Sequence, residues 1–145
     1  MSIREAKESD IPRIVELGSL SLIEGPYRGI IKDKPHTAEL AAKVIESKDG
    51  VILLYENGKK IIGLLAFIIY PHIFTGELTA GEIMWYVEAN ERKGGAGIHL
   101  LWEAEKKAKA MGAKYMGVTS PTTEVSAIYS RFGYKQLEIS FLKEL

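Results

Sequence analysis

The sequence predicts an α/β (α+β) domain with a mixed, mainly antiparallel central sheet and helices on both faces. Three observations carry that expectation. Strand-like and helix-like patterns interleave in the order β-α-α-β-β-β-α-β-α-β, so hairpins and crossovers share one sheet. Asn57-Gly58 between two apolar runs is a type I′ hairpin signal, because both residues tolerate positive φ. Ile61–Tyr70 is apolar almost throughout, as a central strand covered on both faces would be. The 145 residues fit one domain, residues 1–145, large enough to hold a core without staples.

Each element has its own local reason. Ile3 lies in a short first strand. Ser9-Asp10 is a helix cap with Pro12 in the first turn, and Ile11, Ile14, Val15 and Leu17 recur at helical spacing towards Gly25-Pro26. Glu24–Pro35, with two Gly and two Pro, reads as loop. Thr37 is placed to cap a second helix carrying Leu40, Ala41, Val44 and Ile45 on one side. Val51–Tyr55 and Lys60–Tyr70 form the hairpin, Pro71–Gly76 a loop and Glu82–Glu88 a third strand. A glycine-rich turn then opens a long helix, Ile98–Met111, with Gly112 where a left-handed residue usually ends a helix. Tyr115–Thr119 is a short strand, Pro121–Thr123 opens a helix through Arg131 closed by Gly133, and Tyr134–Phe141 is the last strand.

Composition removes several functions. There is no cysteine, which excludes disulfides, thiolate metal sites and a cysteine nucleophile. Lys plus Arg and Asp plus Glu are 19 each, so the basic excess of a nucleic-acid or anionic-membrane binder is missing. The longest apolar run, Ile61–Tyr70, is too short to cross a bilayer, and the charged start MSIREAKESD lacks the apolar core of a signal peptide. The expectation is a soluble cytoplasmic protein without nucleic-acid or membrane partners. His36, His72 and His99 lack ligand spacing, so no metal is expected. Lys106, Lys107 and Lys109 suit the C-terminal half of a helix, where cations favour the dipole. Trp85 and Trp102 read as core.

Glu91-Arg92-Lys93-Gly94-Gly95-Ala96-Gly97 is the most informative stretch. A helix start leaves about four N–H groups unpaired and carries roughly half a positive charge. Gly94, Gly95 and Gly97 remove side chains that would keep an anion away, and Arg92 and Lys93 add charge, which together suit a phosphate. The spacing fits neither GxxxxGK[ST] nor GxGxxG. Turn glycines without a ligand are the structural alternative.

Arg92-Lys93-Gly94-Gly95-Ala96-Gly97 resembles the R/Q-x-x-G-x-G/A segment of the GNAT superfamily of N-acetyltransferases, which binds the pyrophosphate of acetyl-CoA. It follows a strand ending Tyr86-Val87, as the family pattern requires. Ile3-Arg4-Glu5-Ala6 with Asp10-Ile11 looks like the family's first strand and helix, and Tyr129-Ser130-Arg131-Phe132-Gly133-Tyr134 resembles its Tyr-x-x-x-Gly-Phe/Tyr segment. The resemblance implies the acetyltransferase fold, acetyl-CoA as cosubstrate, and cofactor contacts from Tyr86, Val87, Arg92, Lys93, Gly94, Gly95, Ala96 and Gly97. Two positions depart from the pattern: Thr122, which the resemblance counts among the cofactor contacts, stands where an Asn is frequent, and Ala89 stands where a proline is common.

Acetylating an amine requires removing its proton, holding an oxyanion and stabilising a departing thiolate. An amine of pKa near 10.4 is neutral in only about one molecule in 2,500 at pH 7, a cost of roughly 4.6 kcal/mol. A carboxylate can offset part of that cost. The resemblance points to Glu82 as this base, with Glu88 or a relayed base as alternatives and a solvated strand-end charge as the bland reading. Simple alternation puts Glu82, Met84, Tyr86 and Glu88 on one face and Ile83, Trp85 and Val87 on the other, unless a family-typical bulge intervenes. Tyr129 matches the tyrosine that faces the CoA sulfur. A phenol near pKa 10 is a weaker acid than a thiol near 8.5, so it should act by hydrogen bonding, since full transfer is uphill by roughly 2 kcal/mol. A tyrosine buried between helix and sheet is its structural alternative. The family's oxyanion donor is the backbone N–H at or near Val87. Its acceptor site lies between segments matching Leu22–Lys34 and Pro71–Thr79, where Glu24, Tyr27 and His72 are the substrate-binding candidates. The expected activity is transfer of acetyl from acetyl-CoA to a primary amine of a small molecule or peptide; the alternative is a non-catalytic acyl-CoA-binding module. A homodimer would form through sheet edges or the last strand.

Overall fold

The computed structural model describes residues 1–29 and 35–145. Five strands lie in the order β1-β2-β3-β4-β5, and four α-helices are described. The strands are β1 (Ser2–Glu5), β2 (Gly50–Asn57), β3 (Lys60–Pro71), β4 (Leu78–Val87) and β5 (Tyr115–Gly117). The helices are α1 (Ile11–Glu24), α2 (Pro35–Glu46), α3 (Ala96–Ala110) and α4 (Thr123–Arg131). The first four strands run antiparallel to their neighbours, and β5 runs parallel to β4, so the sheet is mixed as expected.

The apolar run of β3 occupies the middle of the sheet, and its alternate residues feed two cores. On one face Leu65 and Phe67 meet Leu100, Leu101 and Ala104 of α3 and Tyr129 of α4. On the other, Leu64 and Ala66 meet Ile14 and Leu17 of α1 and Ala41 and Val44 of α2. Leu17, Leu54, Leu65, Phe67, Leu100 and Leu101 are fully buried.

Ion pairs fasten α1 to the sheet. The Arg4 guanidinium grips both Asp10 oxygens at 2.8 and 2.9 Å, and this interaction leads in holding the Asp10 carboxyl below its usual pKa. Asp10 also accepts from Lys7 N–H at 2.9 Å, so it makes no side-chain cap to α1. Asp10 thus stands at the N-cap of α1, as Ser9-Asp10 suggests, but its carboxylate goes to Arg4 and Lys7 rather than to the helix N–H groups.

Other elements differ for comparable reasons. Helix α2 starts at Pro35, so Thr37 lies inside its first turn rather than capping it. The hairpin turn is Gly58-Lys59, flanked by the pair Asn57↔Lys60, with only Gly58 at positive φ (66°). Glycine at the first central position suits a type II′ turn, not the type I′ turn expected from Asn57-Gly58. Strand β5 ends at Gly117, two residues early. The expected last strand, Tyr134–Phe141, does not form: residues after Gly133 pair with no strand, and Leu137, Ile139 and Phe141 are exposed. Alternation says which face a strand would show but supplies no edge to pair with.

Candidate functional site

Strands β4 and β5 pair only through Thr79↔Tyr115, Ala80↔Met116 and Gly81↔Gly117, while β4 continues to Val87. Above Gly81 the two strands part. In open α/β sheets such a parting, at the carboxyl end of parallel strands, is where ligands enter.

A bulge decides what β4 shows there. The β3–β4 register passes from Ala66↔Met84 to Phe67↔Glu82, inserting one extra residue on β4. Ile83 and Met84 both pack against the α1/α2 core, whereas Trp85 and Val87 join the α3/α4 core. The expected alternation, with Glu82 beside Met84 and Tyr86, is therefore corrected. Glu82 lies instead on the face of Trp85 and Tyr129, close enough for its charge to raise the Tyr129 and Tyr134 pKa values.

Glu82 is half-buried, and desolvation pushes its carboxyl above the usual range. Two donors from Thr119 oppose that shift: the backbone N–H at 3.0 Å and Oγ1 at 3.1 Å, both to Oε2. Tyr129 is 5% exposed, its ring 5.4 Å from Trp85 and 5.3 Å from Tyr134. Burial first, then the Glu82 charge, pushes its phenol far above the ordinary value. Among the described residues the Tyr129 hydroxyl makes no hydrogen bond, yet no side-chain polar atom is both sealed and unpartnered. Its oxygen therefore reaches open space. Tyr134 donates to Glu105 Oε1 at 2.6 Å, bracing α4 against α3.

At the top of β4, the Glu88 N–H donates to Ile62 O at 2.9 Å. Alternation then turns the N–H and C=O of Val87 towards the parted edge. Arg92 Nε takes that carbonyl at 2.9 Å, and the Val87 N–H has no partner among the described residues.

The glycine-rich turn is a 3-10 stretch, Ala89–Gly94, followed by Gly95 at φ 78° and the start of α3. Only glycine adopts that left-handed backbone without strain. No side chain caps α3, so its first N–H groups are open to an anion. A Cβ on Gly94 would meet nothing within 4 Å. Gly97 also has a packing reason: a Cβ there would sit 3.3 Å from the Trp85 ring, whose Nε1 donates to Gly97 O at 3.1 Å. Ala96 is buried in the α3 core, and Lys93 is exposed with no ion pair among the described residues.

Arg92 is less free than its sequence position suggests. Its guanidinium pairs with Glu24 and lies 5.4 Å over the Tyr86 ring. Glu24 also accepts from Tyr86 Oη at 2.9 Å; burial, with that carboxylate adding to it, pushes the phenol up to about 12. A residue assigned to the acceptor side is thus wired to two assigned to the cofactor. Tyr27 is an exposed turn residue, and His72 Nδ1 accepts from Phe74 N–H at 3.3 Å; neither makes a described contact with Glu82 or Tyr129. Thr122 caps α4, accepting from Val125 N–H at 3.3 Å. Glu88, the rival base, is held by Lys60 Nζ at 2.7 Å and by Arg13, which together lower its pKa. Sequence spacing gave no sign of Thr119 or of the Arg13 clamp. The run Ile83–Val87, five apolar residues without alternation, was the available hint of the bulge.

These features define the class: an α/β protein in which two parallel strands part after a short pairing and the strand's end leads into an uncapped helix start. The chain belongs to the acetyltransferase (GNAT) family, whose profile matches residues 19–134. No curated protein matches it. Solved structures share the fold at low identity. An integron cassette protein from the mobile metagenome of Cole Harbour Salt Marsh is 21% identical with TM-score 0.81, the alignment covering 99% of this chain and 89% of that one. A transcriptional regulator from Bacillus halodurans is 21% identical with TM-score 0.79, covering 99% of both chains. An aminoglycoside 6′-N-acetyltransferase from Acinetobacter haemolyticus is 18% identical with TM-score 0.77, covering 100% of this chain and 99% of that one. Among the described residues no cluster suited to a metal occurs, and no helix is long and apolar enough to cross a membrane.

Proposed function

We propose that this chain is an acetyl-CoA-dependent N-acetyltransferase that acts on a primary amine of a small molecule or a peptide by direct attack in a ternary complex. The observation that supports this most is the bulge of β4, which brings Glu82 and Tyr129 to one face of the strand parting. The turn at residues 92–97 fits a diphosphate, since α3 starts uncapped, Gly94 leaves room and Lys93 supplies charge. Acetyl-CoA brings the activated thioester; the chain's residues orient it and move protons.

In this reading the Val87 N–H faces the acetyl oxygen, where charge develops as the amine nitrogen bonds to the carbonyl carbon. Glu82 takes the proton the amine sheds. As the C–S bond breaks, Tyr129 donates a hydrogen bond to the leaving sulfur. Its raised pKa makes full proton transfer more uphill than for an ordinary phenol, so the bond stabilises the thiolate without ionising the tyrosine. Tyr86, Arg92 and Glu24 link the cofactor turn to the end of α1, while Tyr27 and His72 border the acceptor. The reading further comprises one domain over residues 1–145, a cytoplasmic location, and no metal, nucleic-acid or membrane partner. Any homodimer would use the β5 edge or the unpaired C-terminal segment.

One observation favours the alternative of a non-catalytic acyl-CoA-binding module: Glu82 is also a stitch between the parting strands, through Thr119. CoA release over a panel of amines separates the two. Turnover in wild type that collapses in Glu82→Gln and Tyr129→Phe supports the enzyme. Acetyl-CoA binding by calorimetry with no amine ever acetylated supports the module.

A further inference from the structure

Thr119 is the second residue beyond β5, placed where the backbone pairing between β4 and β5 has just ended. Both of its donors converge on a single oxygen of Glu82, Oε2, at 3.0 and 3.1 Å. The other oxygen, Oε1, has no hydrogen bond among the described residues. Two donors on one oxygen fix the rotation of a carboxylate and leave the second oxygen's lone pairs directed elsewhere.

We propose that Thr119 is a positioning residue for Glu82, pinning one carboxylate oxygen so that the other is presented to the proton of the acceptor amine. The proposal rests on the reading of Glu82 as the base. It accounts for how a half-buried carboxylate stays usable. The titratable groups facing Glu82 are Tyr129 on α4 and Tyr134 just after it, and burial keeps both phenols protonated. Among the described residues no cation faces Glu82, so the Thr119 donors are what counters its desolvation. A cation would make the carboxylate less basic, the direction in which Lys60 and Arg13 pull Glu88. Neutral donors stabilise the anion less and leave it basic.

Thr119→Val keeps the backbone N–H and the side-chain volume and removes only the hydroxyl; Thr119→Ser restores the hydroxyl. In the valine variant the Glu82 carboxyl, followed by its 13C shift, should titrate roughly half to one pH unit higher than in wild type. The acidic limb of kcat/KM should move with it, costing about three- to tenfold in rate at the acid end. The KM for acetyl-CoA should stay unchanged, and the serine variant should recover both midpoints. An unmoved carboxyl titration in the valine variant overturns the proposal. A carboxyl titration that moves while the kcat/KM limb stays put overturns Glu82 as base and, with it, the purpose assigned to Thr119.

Discussion

Glu82 on β4 and Glu88 just past its end are the same side chain six residues apart, and the fold treats them oppositely. Glu82 sits on the α4 side of the bulge, desolvated, with neutral donors and two phenols around it. Glu88 stands at the end of β4, between Lys60 of β3 and Arg13 of α1. Burial raises the first pKa, and Lys60, with Arg13 behind it, lowers the second. What separates a candidate base from a structural anion is therefore neither residue type nor strand position. It is one inserted residue and the charge of the neighbours that the insertion selects.

The largest expected effect tests that separation directly. Glu82→Gln should lower kcat by about 10²–10⁴ at neutral pH, the usual worth of a positioned base. The same change should leave stability intact or slightly improved. A group whose folded pKa is raised contributes stability that is present below its unfolded value and lost as pH rises through the folded one. Wherever the pH lies above that folded value, the ionised Glu82 is therefore a burden that glutamine relieves, and a Tm within about 2 °C of wild type or above it is expected. A large drop in Tm would assign Glu82 to the fold instead.

Glu88→Gln should invert both results. Its folded pKa is lowered, so its contribution is present above the unfolded carboxylate value and fades as pH falls through the folded one. The variant should lose roughly 1 kcal/mol at pH 7 in urea unfolding, and the deficit should shrink below about pH 4. Its kcat should stay within about threefold of wild type. A kcat collapse to match Glu82→Gln would make the two carboxylates partners rather than opposites.

Tyr129→Phe comes next, with kcat lower by about ten- to a hundredfold and acetyl-CoA affinity unchanged. Because the phenol titrates far above neutrality, this loss should be flat between pH 6 and 9. A loss confined to one end of that range would show that Tyr129 changes its protonation state during turnover.

The difference between the two glutamates also marks how far the sequence could be read. Periodicity located the central strand β3, helices α1, α3 and α4, and the glycine-rich turn, because each rests on local pattern or on a φ that glycine supplies. It could not orient Glu82, since the bulge depends on how β4 registers against β3 and no single strand carries that information. Ser9-Asp10 marked the start of α1 correctly but not the partner of its carboxylate, which is Arg4 on a neighbouring element. Arg92 was legible as a cation beside a phosphate-like turn, but not as the partner of Glu24, 68 residues away. The final strand was an alternation that pairs with nothing, although the outer edge of β5 is open among the described residues. Local chemistry was read well, and choices between competing long-range partners were not.

The smallest effect concerns the scaffold beneath the site. Thr122 stands where the family often has an asparagine, and its Oγ1 accepts from Val125 N–H to cap the nine-residue helix that carries Tyr129. Thr122→Ala should cost about 0.5–1 kcal/mol as an ordinary lost cap. Activity should fall less than threefold, because Tyr129 is also held by the Trp85 and Tyr134 rings. Thr122→Asn restores an N-cap acceptor and should return the stability. If Thr122→Ala instead raises the KM for acetyl-CoA while stability holds, the hydroxyl is spent on the cofactor more than on the helix. The cap geometry, with its 3.3 Å contact, argues for the helix.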